Sequence, residues 1–202
     1  MRIGVDTGGT FTDFIVIKDG SISIHKTPST PSDPAMAILK GLEEITPRGK
    51  RDEIVHGSTV ATNAILTGGG AATALITTVG FEDVLEIGRQ TRDHIYDLSI
   101  ERTAPLIPRS LRFGIRERTD HLGRVIEKME ASELMQLMNR LKRKKLESIA
   151  VCLLFSYANP RNEKALYREL KKLGVPVSLS HLILPEYREY ERTSTTVINA
   201  YV

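Results

Sequence analysis

Residues 6–13 read Asp-Thr-Gly-Gly-Thr-Phe-Thr-Asp, and the side chains there suit one task, the holding of a phosphate. Phosphate oxygens are taken up by backbone N–H groups in a concave turn, which needs residues that leave the backbone accessible. Gly8 and Gly9 offer close approach and access to positive φ. Thr7, Thr10 and Thr12 add hydroxyl donors. Asp6 ends the first apolar run, and its carboxylate can hold Mg²⁺ through the ion's own waters. Asp13 closes the stretch with a second carboxylate, a further candidate for the chemistry. The stretch is neither GxxxxGK(S/T) nor GxGxxG. A plain hairpin turn is the competing explanation, although such a turn does not require three threonines and two aspartates.

Two more stretches carry chemistry-bearing residues. In HGSTVATNAIL, 56–66, His56 ends a strand and is a candidate acid/base, although a lone histidine is more often structural. Ser58 or Thr59 suits the N-cap of a helix starting near Val60, with Asn63 one turn in. A helix N-terminus is also an anion site, so these residues are candidates for a phosphate or a substrate carboxylate. In GRQTRD, 88–93, Arg89 and Arg92 can clamp a carboxylate or phosphate, for which the guanidinium fork is well shaped. A surface ion-pair loop explains them equally well. Glu189 and Arg192, three apart, can pair on one helix face. Cys152, inside an apolar run, reads as core. His25, His121 and His181 are scattered without metal-ligand spacing.

The elements that must position these residues follow from periodicity and turn signals. Strands are expected at 2–8, 12–18 and 21–26, with a hairpin turn at Asp19-Gly20. A helix is expected over 35–45, with Met36, Leu39 and Leu42 marking its period. Further strands are expected at 53–56 and 73–78, a turn at Gly68–Gly70, and a long surface loop over 88–110. Residues 111–119 and 124–128 read as a hairpin around 120–123. A helix over 131–146 has Leu134, Leu137, Met138 and Leu141 on one face. The run SIAVCLLF, 148–155, is apolar on both faces, as in a central strand covered on both sides. A helix over 160–173, a strand at 176–180 and a final helical run complete the chain. The fold class is α/β with a mixed sheet opened by a β-hairpin.

The strand, the DTGGTFTD turn and the next two strands resemble the first phosphate loop of the actin, Hsp70 and sugar-kinase ATPase superfamily. HGSTVATNAIL is similar to the HGTTVATNA segment of the hydantoinase A and 5-oxoprolinase family. GFEDVLEIGRQTRDHIYDL at 80–98, CLLFSYANPRNE at 152–163 and EYERTSTTVINAYV at 189–202 resemble that family as well. Ser58 stands where the family usually has Thr, a swap that keeps the hydroxyl. The resemblance spans the whole chain, in the family's order. It implies a ribonuclease H-like, actin-like ATPase half over 1–100, a flanking α/β portion over 101–180, and the start of a following domain over 181–202. It implies ATP and Mg²⁺ as cofactors and a cyclic amide as substrate. The γ-phosphoryl group would go to the amide oxygen, water would attack the activated carbon, and phosphate would leave. Such transfer rests on positioning and charge neutralisation. A second, hydantoinase B-type subunit is the implied partner. Acetone carboxylase subunits and small-molecule kinases share the phosphate loop, so this motif does not separate the three. A noncatalytic binding module is the reading from another class.

Bulk composition bounds these expectations. The 202 residues give room for a core, and 41% hydrophobic with 26% charged residues is ordinary for a globular protein. A net charge of +3 and 5% aromatics argue against nucleic acid as a partner. The single cysteine excludes an internal disulfide and fits a reducing cytoplasm. No apolar stretch approaches the ~18 residues of a membrane span, and no signal-peptide core follows the N-terminus. The Asp-Thr-Gly-Gly turn occurs once, so the chain is expected to hold at most half of a two-lobed ATP site and to be inactive alone. Its last residues run apolar and uncapped, as expected of a piece of a longer protein.

Overall fold

Alternating apolar residues at the N-terminus bury one side of the first two strands, and this builds the first of two compact units, Met1–Gly69 and Gly70–Val202. The computed structural model describes residues 1–30, 33–46, 53–91, 96 and 104–202. In the first unit, β1 (Arg2–Thr7), β2 (Phe11–Lys18), β3 (Ser21–Pro28) and, after helix α1 (Pro34–Ile45), β4 (Glu53–Ser58) form a sheet of order β3-β2-β1-β4. The first three strands are antiparallel neighbours, and β4 lies parallel to β1. Helix α2 (Val60–Thr67) follows β4 directly. Asp19 and Gly20 both have positive φ, 50° and 79°, as the tight two-residue hairpin turn requires.

Ile3, Val5, Phe14 and Val16 fill one side of this sheet together with Leu42 of α1. The helix starts where expected, with Asp33 Oδ1 accepting from the Ala35 N–H at 3.1 Å. Its buried side differs from the expected one. Ala37, Gly41 and Leu42 face inward, whereas Met36 and Leu39 are exposed. The reason is the close fit at Gly41. A Cβ there would lie 2.2 Å from Cζ of Phe14, so the helix meets the sheet through its small residues. The opposite side of the sheet leaves Ile15, Ile17, Ile22 and Ile24 exposed.

The second unit is built on parallel strands. Its order of elements is β5 (Thr73–Thr78), α3 (Val84–Ile87), β6 (Arg112–Ile115), β7 (Arg118–Thr119), β8 (Val125–Glu127), α4 (Ala131–Lys142), β9 (Ser148–Cys152), α5 (Arg161–Leu170), β10 (Val177–Leu179), α6 (Ser180–Ile183) and α7 (Glu189–Tyr201). Strands β10-β9-β5-β6 make a wholly parallel sheet. Every residue of β5 and β9 is buried. Ile76 and Val151 pack with Leu137, Leu141 and Leu166 of α4 and α5. Leu75, Ala150 and Cys152 pack with Val197 and Ala200 of α7. The apolar run at 148–155 is therefore the covered central strand expected of it, shortened at its end.

Two expectations change here. The sheets are separate, one mixed and one parallel, rather than a single mixed sheet. The segment 111–119 is divided: β6 joins the parallel sheet, and only β7 pairs with β8 in a two-stranded antiparallel ribbon. The compact units divide at Gly69/Gly70, ahead of β5, which pairs with β6 and β9. Much of the expected loop at 88–110 lies outside the described residues. Among those described, no helix is long and apolar enough to cross a membrane.

Candidate functional site

The candidate site is the hairpin turn between β1 and β2 and the helix end beside it. Gly8 N–H donates to Phe11 O at 3.0 Å and closes a turn of Gly8, Gly9, Thr10 and Phe11. Neither Gly8 nor Gly9 takes positive φ, so their contribution is room rather than a left-handed backbone. A Cβ on Gly8 would lie 3.2 Å from Phe11 O, and one on Gly9 would lie 3.4 Å from Asn63 Nδ2. Gly9 and Thr10 are exposed at the tip, where their N–H groups can meet a phosphate oxygen.

The threonines divide by position. Thr7 and Thr12 are buried and brace the turn from below. The Thr7 hydroxyl lies 3.1 Å from Nε2 of His56. The Thr12 hydroxyl lies 3.0 Å from that of Ser29, which itself donates to Gly8 O at 2.8 Å. The Ser29 N–H donates to Thr10 O at 2.9 Å. Ser29 is thus a positioning residue that the sequence reading missed. The signal was its place just after β3, whose Pro28 pairs with Phe11.

Asp6 and Asp13 face each other across β1 and β2, on the side of the sheet opposite Thr7 and His56. The pleat therefore separates the two carboxylates from the histidine. Lys26 Nζ lies 3.1 Å from Asp13 Oδ1. Asp6 makes no ion pair among the described residues and stands above Gly57, where a Cβ would come within 3.6 Å of Oδ1. No cluster of three or more His, Cys, Asp or Glu able to hold a metal exists among the described residues. One free carboxylate fits a cation that keeps most of its waters, as Mg²⁺ does.

Helix α2 brings the remaining residues to the same end. The Thr59 N–H donates to Thr7 O at 3.2 Å, tying the helix start to the end of β1. Thr59 occupies the N-cap without a side-chain cap; its hydroxyl donates to Thr7 O instead, at 3.4 Å. Ser58 Oγ accepts from the Val60 N–H at 3.3 Å. Asn63 Nδ2 reaches back to the Thr59 hydroxyl at 3.5 Å. No acidic residue occupies the first turn of α2 itself, so the helix sets no negative charge of its own against an anion, and Asp6 beside Gly57 is the carboxylate nearby.

The arginines of the second unit are placed differently. Arg89 pairs with Glu191 at 2.8 Å, an exposed ion pair, and Arg92 lies outside the described residues. Arg192 is fully buried and donates to Glu189 at 2.5 Å, as their spacing suggested, and also to the carbonyls of Leu153 and Glu186. Burial pushes the Cys152 thiol up, and it accepts from the Thr193 hydroxyl, which suits a core residue. A buried polar cluster that sequence reading missed joins the ends of β5, β9 and β10. Glu163 accepts from the Leu153 N–H, the Ser180 hydroxyl and His181. Glu117, its carboxyl raised by burial despite the Thr78 and Asn162 hydrogen bonds, accepts from both of those side chains. Its signal was the pair Asn162-Glu163 in the first turn of α5.

Comparison with known proteins sets this geometry in context. Residues 2–174 match the family described as the hydantoinase/oxoprolinase N-terminal region. An uncharacterised protein of Methanocaldococcus jannaschii is 42% identical over the whole chain, which spans 31% of that relative. The caprolactamase subunit alpha of Pseudomonas jessenii is 34% identical, again over 100% of this chain and 31% of its own length. The crystal structure of that ATP-dependent caprolactamase superposes with a TM-score of 0.86 at 32% identity, covering 100% of this chain and 31% of that one. The nucleotide-free structure of acetone carboxylase, an enzyme of ATP-dependent acetone carboxylation, gives 0.85 at 29% identity, with 99% of this chain and 32% of that one covered.

Proposed function

The chain belongs to the hydantoinase/oxoprolinase N-terminal region family, and from that premise we propose that it forms the phosphate-loop half of an ATP site in an enzyme that opens cyclic amides of the hydantoin or 5-oxoproline type. The observation that carries the reading is the turn Gly8–Thr10, with Gly9 and Thr10 exposed at its tip, set beside the N-terminus of α2 with Asp6 at the strand end. These residues fit a nucleotide phosphate with Mg²⁺. Gly9 and Thr10 would supply N–H donors, Asp6 would orient the hydrated ion, and Thr59 and Asn63 would hold the helix end against the turn. When bound, ATP supplies a phosphoryl group that makes an unreactive amide carbonyl open to attack. Thr7, Thr12 and Ser29 keep the turn in shape. His56, bonded to Thr7 beneath the turn, is a positioning residue in this arrangement.

The fold on this reading is the first half of an actin-like ATPase, with the other lobe and a hydantoinase B-type subunit completing the enzyme. The caprolactamase similarity supports the amide branch. The acetone carboxylase similarity keeps a carboxylase subunit as the second reading, and product analysis separates them: ring-opened acid and phosphate for the first, bicarbonate dependence for the second. The direct test measures MgATP binding to the complete protein with Asp6→Ala and Gly9→Val. Both variants are expected to lose most of the affinity while the far-UV circular dichroism is kept. Unchanged affinity in both would remove the turn from the site. Ring opening by the 202-residue chain alone would overturn the half-site reading.

A further inference from the structure

At the carboxyl ends of β5 and β6, a cavity of about 170 Å³ opens against α4. Ile115 and Leu137 form its apolar wall, and Arg116, Glu133, Gln136 and Arg140 its polar one. The carboxyl ends of parallel strands are where open α/β sheets take their ligands. One border of the cavity is the outer edge of β6, which pairs with β5 alone among the described residues. Ile115 O accepts from the Val79 N–H at 3.0 Å, so the backbone groups of Ile115 point into the sheet. Those of Gly114, one residue earlier, point outward along the free edge. Gly114 also lines the cavity, and it brings a backbone N–H that no neighbouring strand takes up.

Positive charge is in excess on the polar wall. Its single carboxylate, Glu133, accepts from Arg116 Nε at 3.3 Å. That bond anchors Arg116 through Nε and leaves both of its terminal amino groups without a hydrogen bond among the described residues. Arg140 lies 4.8 Å over the Phe113 ring and has no carboxylate partner among the described residues. Two guanidiniums against one carboxylate leave one surplus positive charge. Glu82 does not cancel it. Phe113 and Ile115 pack into the core with Leu137 of α4, so Gly114 faces the opposite side of the sheet, and Glu82 stands on that side, where a Cβ of Gly114 would lie. A guanidinium fork with open N–H groups is shaped for a carboxylate. The apolar wall suits a short hydrocarbon tail. The volume, slightly larger than the ~150 Å³ that holds one benzene, limits the occupant to a handful of heavy atoms.

We propose that this cavity binds a small monocarboxylate, with its carboxylate on the open N–H groups of Arg116 and Arg140 and its hydrocarbon tail on Ile115 and Leu137. Glu133 holds Arg116 in place and sets the net charge at one, which favours a monoanion over a dianion. The Gln136 amide and the Gly114 N–H are the neutral donors of the wall. The site lies wholly within the second unit and does not depend on the phosphate turn.

Three probes test the assignment: butyrate, its neutral isostere butyramide, and the tail-less dianion sulfate, each titrated into the isotope-labelled full chain and followed by amide shifts. The expected result is saturable binding of butyrate with shifts at Gly114, Leu137 and Arg140, at least tenfold tighter than butyramide or sulfate. Arg116→Gln and Arg140→Gln, both at exposed positions, are each expected to weaken butyrate at least tenfold with dispersed spectra retained. Glu133→Gln keeps an acceptor for Arg116 but removes the negative charge, and it is expected to move the preference at least threefold toward sulfate. Butyramide binding as tightly as butyrate would show that charge is not read. Sulfate binding as tightly would reduce the site to an adventitious ion contact. Either result overturns the proposal, as would absence of saturation, insensitivity to both arginine variants, or an unchanged preference in Glu133→Gln. Asp6→Ala leaves butyrate binding unchanged, so failure here and failure of the ATP reading are read separately.

Discussion

Replacing Gly41 by Ala sets two effects of opposite sign against each other, and the structure says which prevails. In a helix interior the exchange ordinarily stabilises by about 1 kcal/mol through lower backbone entropy of the unfolded chain and better propensity. Gly41 is buried, however, and a Cβ there would lie 2.2 Å from Cζ and 2.4 Å from Cε2 of Phe14. Ordinary carbon contact is ~3.5–4.0 Å, so the ring or the helix must retreat by roughly 1.5 Å. Phe14 has no exposed surface and packs with Ile3, Val5, Val16 and Leu42, which leaves it nowhere to go without displacing them. Overpacking of this kind costs about 1–3 kcal/mol, and an overlap of this size belongs at the upper end. The net expectation is a loss of ~2 kcal/mol, measured by urea unfolding followed by circular dichroism. Phe14→Leu, destabilising alone, relieves the clash when combined with Gly41→Ala. The pair is therefore expected to be less destabilised than the sum of the single variants, by a coupling of about 0.5–3 kcal/mol. A Gly41→Ala variant more stable than wild type would refute the close packing of α1 on β2.

Two further outcomes follow from buried charge. Burial raises the Glu117 carboxyl above its ordinary value of 4.5, so the folded state holds that proton to higher pH than the unfolded state. Stability from this group is full below the usual carboxylate range and is lost as the pH rises through the raised value. Glu117→Gln is expected to remove that downward slope, read as the difference between wild-type and variant urea midpoints across a pH series; parallel profiles would disprove it. Arg192→Met strips donors from Glu189, Leu153 O and Glu186 O and is expected to cost about 3–5 kcal/mol. A loss below about 1 kcal/mol would show that this buried arginine is dispensable to the fold.

Local chemistry was the legible part of the sequence. The Asp19-Gly20 turn, the doubly buried β9 and the Leu134–Leu141 face of α4 each follow from a few adjacent residues, and the structure places them as read. The cluster of Asp6, Gly8, Gly9, Thr59 and Asn63 at one end of the first sheet was legible in residue type. The division of its side chains was not. Strand pleating sends Asp6 and Asp13 to one side and Thr7, Thr12 and His56 to the other, and that depends on register across three strands. The buried face of α1 was misread because hydrophobic periodicity weighs large side chains, whereas Ala37 and Gly41 are chosen here for being small. Glu163 and His181 stand eighteen residues apart in sequence, and only the parallel pairing of β9 and β10 brings them together. The partners of β6 were equally hidden, since nothing local tells a hairpin strand from a parallel edge strand.

The pairing of β5 with β9 bears on the order in which the chain can acquire its structure. Thr73 and Ser148 are neighbours across these strands although 75 residues separate them, while β1, β2 and β3 are joined by short turns and are complete at Pro28. Contacts that close long loops form slowly, and short-range hairpins form early. During N-to-C-terminal synthesis the three-stranded meander bearing the glycine turn can therefore form while the second unit is still being made. Strand β5, buried on both faces, must wait for β6 and then β9. In that interval its exposed edges are the part of the chain most open to misassociation, and a nascent-chain chaperone would find its principal client segment at residues 73–78.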